Sequence, residues 1–100
     1  MFFNVPARDR SPGAGNQEQR AKYNGIIKTF NTVLADHVAK FQSDHPDANV
    51  ISIDAFALFN KYLDQAKELG FKDISSFCPN STAPDFNTNY EKYGCLAPYE

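Results

Sequence analysis

Val50-Ile51-Ser52-Ile53-Asp54 is a short β-branched run set between two helical ladders. Val and Ile at three of the first four places suit a strand buried in a parallel sheet. Upstream, Tyr23, Ile26, Ile27, Phe30, Val33, Leu34, Val38 and Phe41 recur at steps of three and four, marking one face of a helix. Downstream, Ala55, Leu58, Phe59, Tyr62, Leu63, Ala66 and Leu69 mark a second. Phe2 to Val5 adds a short extended stretch that Pro6 ends. The predicted order is strand 2–5, helix 16–45, strand 49–54 and helix 55–69, followed by a loop-rich tail over 72–100. That β-α-β-α string is an α/β pattern, half of a parallel-sheet protein.

Local signals sharpen the boundaries. Asn16 followed by Gln19 is a capping-box pattern for the first helix. Pro46 sets its end at or before His45, which makes the helix about 40 Å long. Gly25 inside it is expected to mark a close packing contact. Gly70, followed by Phe71, suits the left-handed residue that closes the second helix. Beyond Lys72 periodicity is lost among Pro79, Pro84, Gly94 and Pro98.

The chain has 100 residues, enough for one domain at most, and a net charge of −2. With 10 basic against 12 acidic residues, and Asp9 between Arg8 and Arg10, it has no basic footprint for nucleic acid. No apolar run approaches the roughly 18 residues of a membrane span. Met1 to Pro6 has neither the basic start nor the apolar core of a signal peptide, which taken literally means a cytosolic chain. Two features lean the other way, toward a secreted protein. Cys78 and Cys95 lie in a loop-like tail, and Asn80-Ser81-Thr82 fits the N-glycosylation acceptor pattern. The cysteines are either free thiols, as in the cytosol, or a bridge that compensates for an unstructured tail. A bridge closing that loop would contribute about 3 kcal/mol on the chain-entropy model.

Few residues offer chemistry. His37, between Leu34 and Val38, reads as a partly buried packing residue, and His45 as a cation at a helix end. Ser75-Ser76 follows the second helix as turn residues, without a nucleophile-elbow context. Asp54 stands at the carboxyl end of a strand, where ligands bind in open α/β sheets, although Asp there also serves as a helix N-cap, the favoured reading. Two His and two Cys match no zinc spacing, and Gly13-Ala14-Gly15 is no phosphate cradle. No cofactor or metal is expected.

Several stretches taken in order resemble the fungal branch of the GDSL/SGNH hydrolases, esterases and acetylesterases of carbohydrate esterase type. Pro6-Ala7-Arg8-Asp9-Arg10-Ser11-Pro12 is similar to that family's P-x-x-D-R-[ST]-P turn. Tyr23-Asn24, then Phe41 with His45-Pro46-Asp47 and the strand ending at Asp54, resemble its helix-to-strand segment. Leu69-Gly70-Phe71-Lys72-Asp73 followed by Cys78 resembles its yGFkd…C stretch.

The resemblance implies a fragment of a three-layer αβα parallel-sheet fold, from a secreted serine esterase acting on acyl or acetyl esters, small-molecule or carbohydrate. It also implies that the serine and oxyanion-hole blocks belong before Met1 and the histidine block after Glu100. No catalytic residue is therefore expected in this chain, which would be a truncated, inactive piece. It implies structural roles for Asn24 and Asp54, and a disulfide between Cys78 and Cys95. The alternatives are a small secreted binding or effector-like protein with one disulfide, or a cytosolic interaction module with free thiols.

Overall fold

A computed structural model describes residues 1–96; positions 97–100, the end of the expected tail with Pro98, lie outside the described residues. Strand β1 (Phe2–Phe3) leads through short 3-10 turns at Arg8–Arg10 and Pro12–Ala14 into helix α1 (Gln17–Asp44). Strand β2 (Ser52–Ile53) and helix α2 (Ala55–Asp64) follow, then a short helix α3 (Phe86–Asn89) and a 3-10 turn at Tyr90–Tyr93.

The two strands are parallel, with Phe2 opposite Ser52 and Phe3 opposite Ile53. The amides of Phe2 and Asn4 donate to the carbonyls of Ile51 and Ile53 at 2.8 and 3.3 Å. Both strands are shorter than the predicted 2–5 and 49–54. The ladder stops because β2 turns into α2 at Asp54, while the Val5 amide and carbonyl, on the edge of β1 away from β2, are held by the Asn31 side chain. A parallel pair is present; a three-layer arrangement would require strands beyond these two. The expectation that residues 50–53 form a buried strand needs correction, because Ile51 is 55% exposed. Among the described residues the sheet has two strands, which bury little of a face by themselves.

Helix α1 begins with the capping box: Asn16 Oδ1 accepts from the Gln19 amide, and Gln19 Oε1 accepts from the Asn16 amide, both at 2.9 Å. It ends when the His45 amide donates to the Phe41 carbonyl at 2.9 Å, immediately before Pro46. Its inner stripe runs through Asn24, Ile27, Asn31, Leu34 and Val38, of which Ile27 and Val38 are buried. The remaining apolar residues of the predicted face (Tyr23, Ile26, Phe30, Val33 and Phe41) are exposed. Gly25 needs no close neighbour: a Cβ there would meet nothing within 4 Å, contrary to the expected packing contact.

Helix α2 is regular only to Asp64, short of the predicted Leu69. At that end the Arg10 guanidinium donates to the Asn60 carbonyl and the Asp64 carboxylate. The following turns still close helically. The Phe71 amide reaches the Ala66 carbonyl at 2.9 Å, and the Gly70 amide reaches the Lys67 carbonyl at 3.2 Å. Gly70 has φ 87°, which completes a Schellman closure.

The tail is less irregular than its composition suggests. Phe86 is buried there, and the Tyr93 hydroxyl donates to Asp85 at 2.6 Å. Cys78 and Cys95 are joined as a disulfide, with Cα atoms 5.9 Å apart, which answers the choice between thiols and a bridge. The buried core is small and mostly alanine: Ala7, Ala14, Ala55 and Ala66 beside Ile27, Val38 and Phe86.

Candidate functional site

The parallel register brings the ends of both strands together, so Asn4, just after β1, meets Asp54, just after β2. The Asn4 amide nitrogen donates to Asp54 Oδ1 at 2.8 Å, and Asn4 Oδ1 accepts from the Phe56 amide at 2.9 Å. Asp54 Oδ1 also accepts from the Ala57 amide at 2.9 Å. Two side chains thus share the orphan amides of the first turn of α2. The Ala57 amide, helped by the Asn4 side chain, holds the Asp54 carboxyl below its ordinary value against the opposing effect of burial.

Asn31 stands behind this pair. Its side chain forks onto Val5, accepting from the amide at 2.8 Å and donating to the carbonyl at 2.9 Å. A cavity of about 490 Å³ opens beside these groups, lined by Asn4, Lys28, Asn31, Thr32, Asp36 and Asp54 among others. Its chemistry is that of carboxylates, amides and one ammonium. No serine, cysteine or histidine lines it.

The next residues along the chain continue the same polar spine. The Asn24 amide donates to Asp9 Oδ2 at 2.9 Å, and Arg10 reaches the Asn60 side chain at 2.9 Å and Asp64 at 2.7 Å. Asp9 is buried, and among the described residues its other oxygen has no hydrogen-bond partner. Positions 4 to 10 therefore stitch both long helices to the strands.

The structure places the residues singled out in the sequence as follows. Asp54 caps α2 and reaches Asn4, while Asn24 holds Asp9 from the inner face of α1. His37 is exposed, which corrects its reading as a partly buried residue. His45 is also exposed, with its ring 4.6 Å from that of Phe41. Ser75 and Ser76 donate to Asp73, forming a turn that holds the Asp73 carboxyl well below the usual carboxylate range. Among the described residues no hydrogen bond joins a serine or cysteine to either histidine. Asn80 is exposed in a turn in which its carbonyl accepts from the Ala83 amide at 2.9 Å. No group of three His, Cys, Asp or Glu among the described residues could hold a metal. Among the described residues no helix is long and apolar enough to cross a membrane.

Sequence reasoning missed Asn4 and Asn31. A signal for Asn31 was present: it lies on the stripe of Ile27, Leu34 and Val38, where a polar side chain calls for a specific partner. Asn4 carried no such signal, because its partners come from residues fifty positions away.

Comparison with known proteins gives a partial likeness. Over 56 residues, 56% of this chain, the sequence is 37% identical to a plant protein, the GDSL esterase/lipase ACHE of Zea mays. The match covers 14% of that plant protein's length. No family model matches the chain, and no solved structure matches it. Over the matched stretch the chain is a distant partial homologue of a GDSL esterase/lipase.

Proposed function

We propose that this chain is a scaffold segment of a GDSL-type serine ester hydrolase, and that the segment by itself does not hydrolyse esters. The observation that carries the reading is the 37% identity to a GDSL esterase/lipase, taken with the polar spine from Asn4 to Arg10. That spine ties two strands and two helices together without presenting a nucleophile and base in reach of each other. On this reading the residues build the floor of a parallel α/β domain of three layers. The serine, the oxyanion donors and the base come from other stretches of the longer enzyme.

The finer points belong to the same proposal. The Pro6 to Pro12 turn supports a member of the fungal, carbohydrate-esterase branch, acting on acyl or acetyl esters of small molecules or sugars. The Cys78–Cys95 bridge and the exposed Asn80 sequon support a secreted parent protein.

A purified chain is expected to leave p-nitrophenyl acetate turning over at the buffer rate; saturable hydrolysis would overturn the claim of inactivity. In a longer protein carrying this stretch, a fluorophosphonate probe is expected to label a serine outside it. Labelling of any serine between Ser11 and Ser81 would overturn the scaffold reading.

A further inference from the structure

Of the nine asparagines in the sequence, Asn80 alone opens an N-x-[ST] triplet, and the middle residue, Ser81, is not proline. The structure sets this triplet on a pinned corner. The Ser81 amide donates to the Cys78 carbonyl at 3.1 Å, which makes Pro79 and Asn80 the two corners of a β-turn. Pro79 fixes φ at the first corner, and the bridge to Cys95 ties down Cys78 at the start of the turn. Asn80, Ser81 and Thr82 are all exposed. Among the described residues neither the Asn80 side-chain amide nor the Thr82 hydroxyl has a hydrogen-bond partner.

A second observation concerns the residue just before the turn. Phe77 is 67% exposed, more than any other aromatic residue among those described. Phe77, Pro79 and Ser81 together line one open groove of about 540 Å³, so the ring and the triplet face the same space. One face of a pyranose ring is a layer of axial C–H groups. That layer complements the electron-rich face of an aromatic ring, and the other side of the sugar stays in water.

We propose that Asn80 carries an N-linked glycan whose first N-acetylglucosamine lies on the ring of Phe77. The donor is an oligosaccharide linked through a diphosphate to a lipid. Asn80 Nδ2 forms a bond to the anomeric carbon of the sugar as the bond from that carbon to the diphosphate oxygen breaks. The lipid diphosphate leaves with the bonding pair, and Nδ2 gives up one proton to a base of the transferase. The turn presents Nδ2 and the Thr82 hydroxyl to that enzyme, and Phe77 receives the sugar once it is attached. The inference rests on the reading of the parent protein as secreted.

The full chain, produced behind a cleavable secretion leader in a eukaryotic host, tests it. Peptide mapping is expected to find a glycan on Asn80 that Asn80→Gln and Thr82→Ala abolish and Ser81→Ala retains. Transfer precedes folding, so a chain retained in the cell is mapped in the same way. After the glycan is trimmed to its first sugar, the chain is expected to melt about 3 °C above Asn80→Gln. That gain is expected to vanish in Phe77→Ala. If Phe77→Ala cannot be purified, the sugar protons of the parent chain are expected to show the upfield ring-current shift of a stacked phenyl. An unmodified Asn80 overturns the proposal, as does a gain indifferent to Phe77→Ala or a sugar without ring-current shift. Because the leader is supplied, these outcomes count against the glycan alone. The secreted reading fails separately, if the natural parent protein is found inside the cell.

Discussion

Asn31, in the middle of α1, holds both backbone polar groups of Val5, accepting from its amide at 2.8 Å and donating to its carbonyl at 2.9 Å. A side-chain amide thereby substitutes for a neighbouring strand. It occupies the edge of β1 that faces away from β2 and fixes the strand end against the helix. The contact is part-buried, so water replaces it incompletely.

Asn31→Ala is expected to lower stability by about 2 kcal/mol, since two hydrogen bonds are lost and their backbone partners stay half-buried. Urea unfolding gives the magnitude. Hydrogen exchange gives the location, and the Val5 amide is expected to lose its protection. A variant with unchanged midpoint and unchanged Val5 exchange contradicts the assignment.

Asp54 links folding to pH. Its folded carboxyl lies below its ordinary value, chiefly through the Ala57 amide. Ionised Asp54 therefore favours the folded state, and the contribution is complete above the unfolded value near 4. It is lost as pH falls from there through the lowered folded value. Asp54→Asn still offers an oxygen to the helix, so it is expected to keep most of the cap and flatten this part of the acid profile. Asp54→Ala loses the cap and is expected to cost about 1 kcal/mol at neutral pH. A wild-type acid profile that coincides with that of Asp54→Asn contradicts the linkage.

Arg10 and Asp64 are unequal partners. Asp64 is mostly exposed, so Asp64→Ala is expected to cost less than about 1 kcal/mol and to lose its effect in high salt. Arg10→Ala also frees the Asn60 carbonyl and side chain, and is expected to cost more at every salt concentration. Thermal unfolding of the two variants at low and high salt orders them. Equal effects would mean that the ion pair alone matters.

The Cys78–Cys95 bridge spans 17 residues of the tail. Replacing both cysteines with serine is expected to cost about 3 kcal/mol on the loop-entropy account. Loss of structure should begin around Phe86 and Tyr93, leaving α1 intact. Mass spectrometry of the native protein is expected to find no alkylatable thiol until a reductant is added.

Much of the local structure was legible in the chain. The Asn16 cap with Gln19, the stop at Pro46 and the left-handed closure at Gly70 depend on neighbours a few residues away, and there the expectations match the geometry. The lengths of the strands and of α2 were less accessible. A ladder needs both strands to stay extended, and β2 turns into α2 at Asp54, while Arg10 reaches the end of α2 from 50 residues away. The site at the strand ends was legible in part: Asp54 could be placed by its position, but its partner Asn4 could not.

The sequence by itself determined where α1 and α2 start and where α1 stops, because capping residues and proline act at short range. It also determined that the chemistry-bearing residues are few. Only the tertiary structure decided which side of α1 is covered. The apolar residues from Tyr23 to Phe41 look equivalent in the chain, yet Ile27 and Val38 are buried while Phe30 and Val33 face solvent. The physical reason is that periodicity records how apolar a face is, whereas burial depends on what lies against it. Here the segment from Asn4 to Arg10, pinned by Asn31, Asn24 and Asp54, covers one stripe of the helix and leaves the other open.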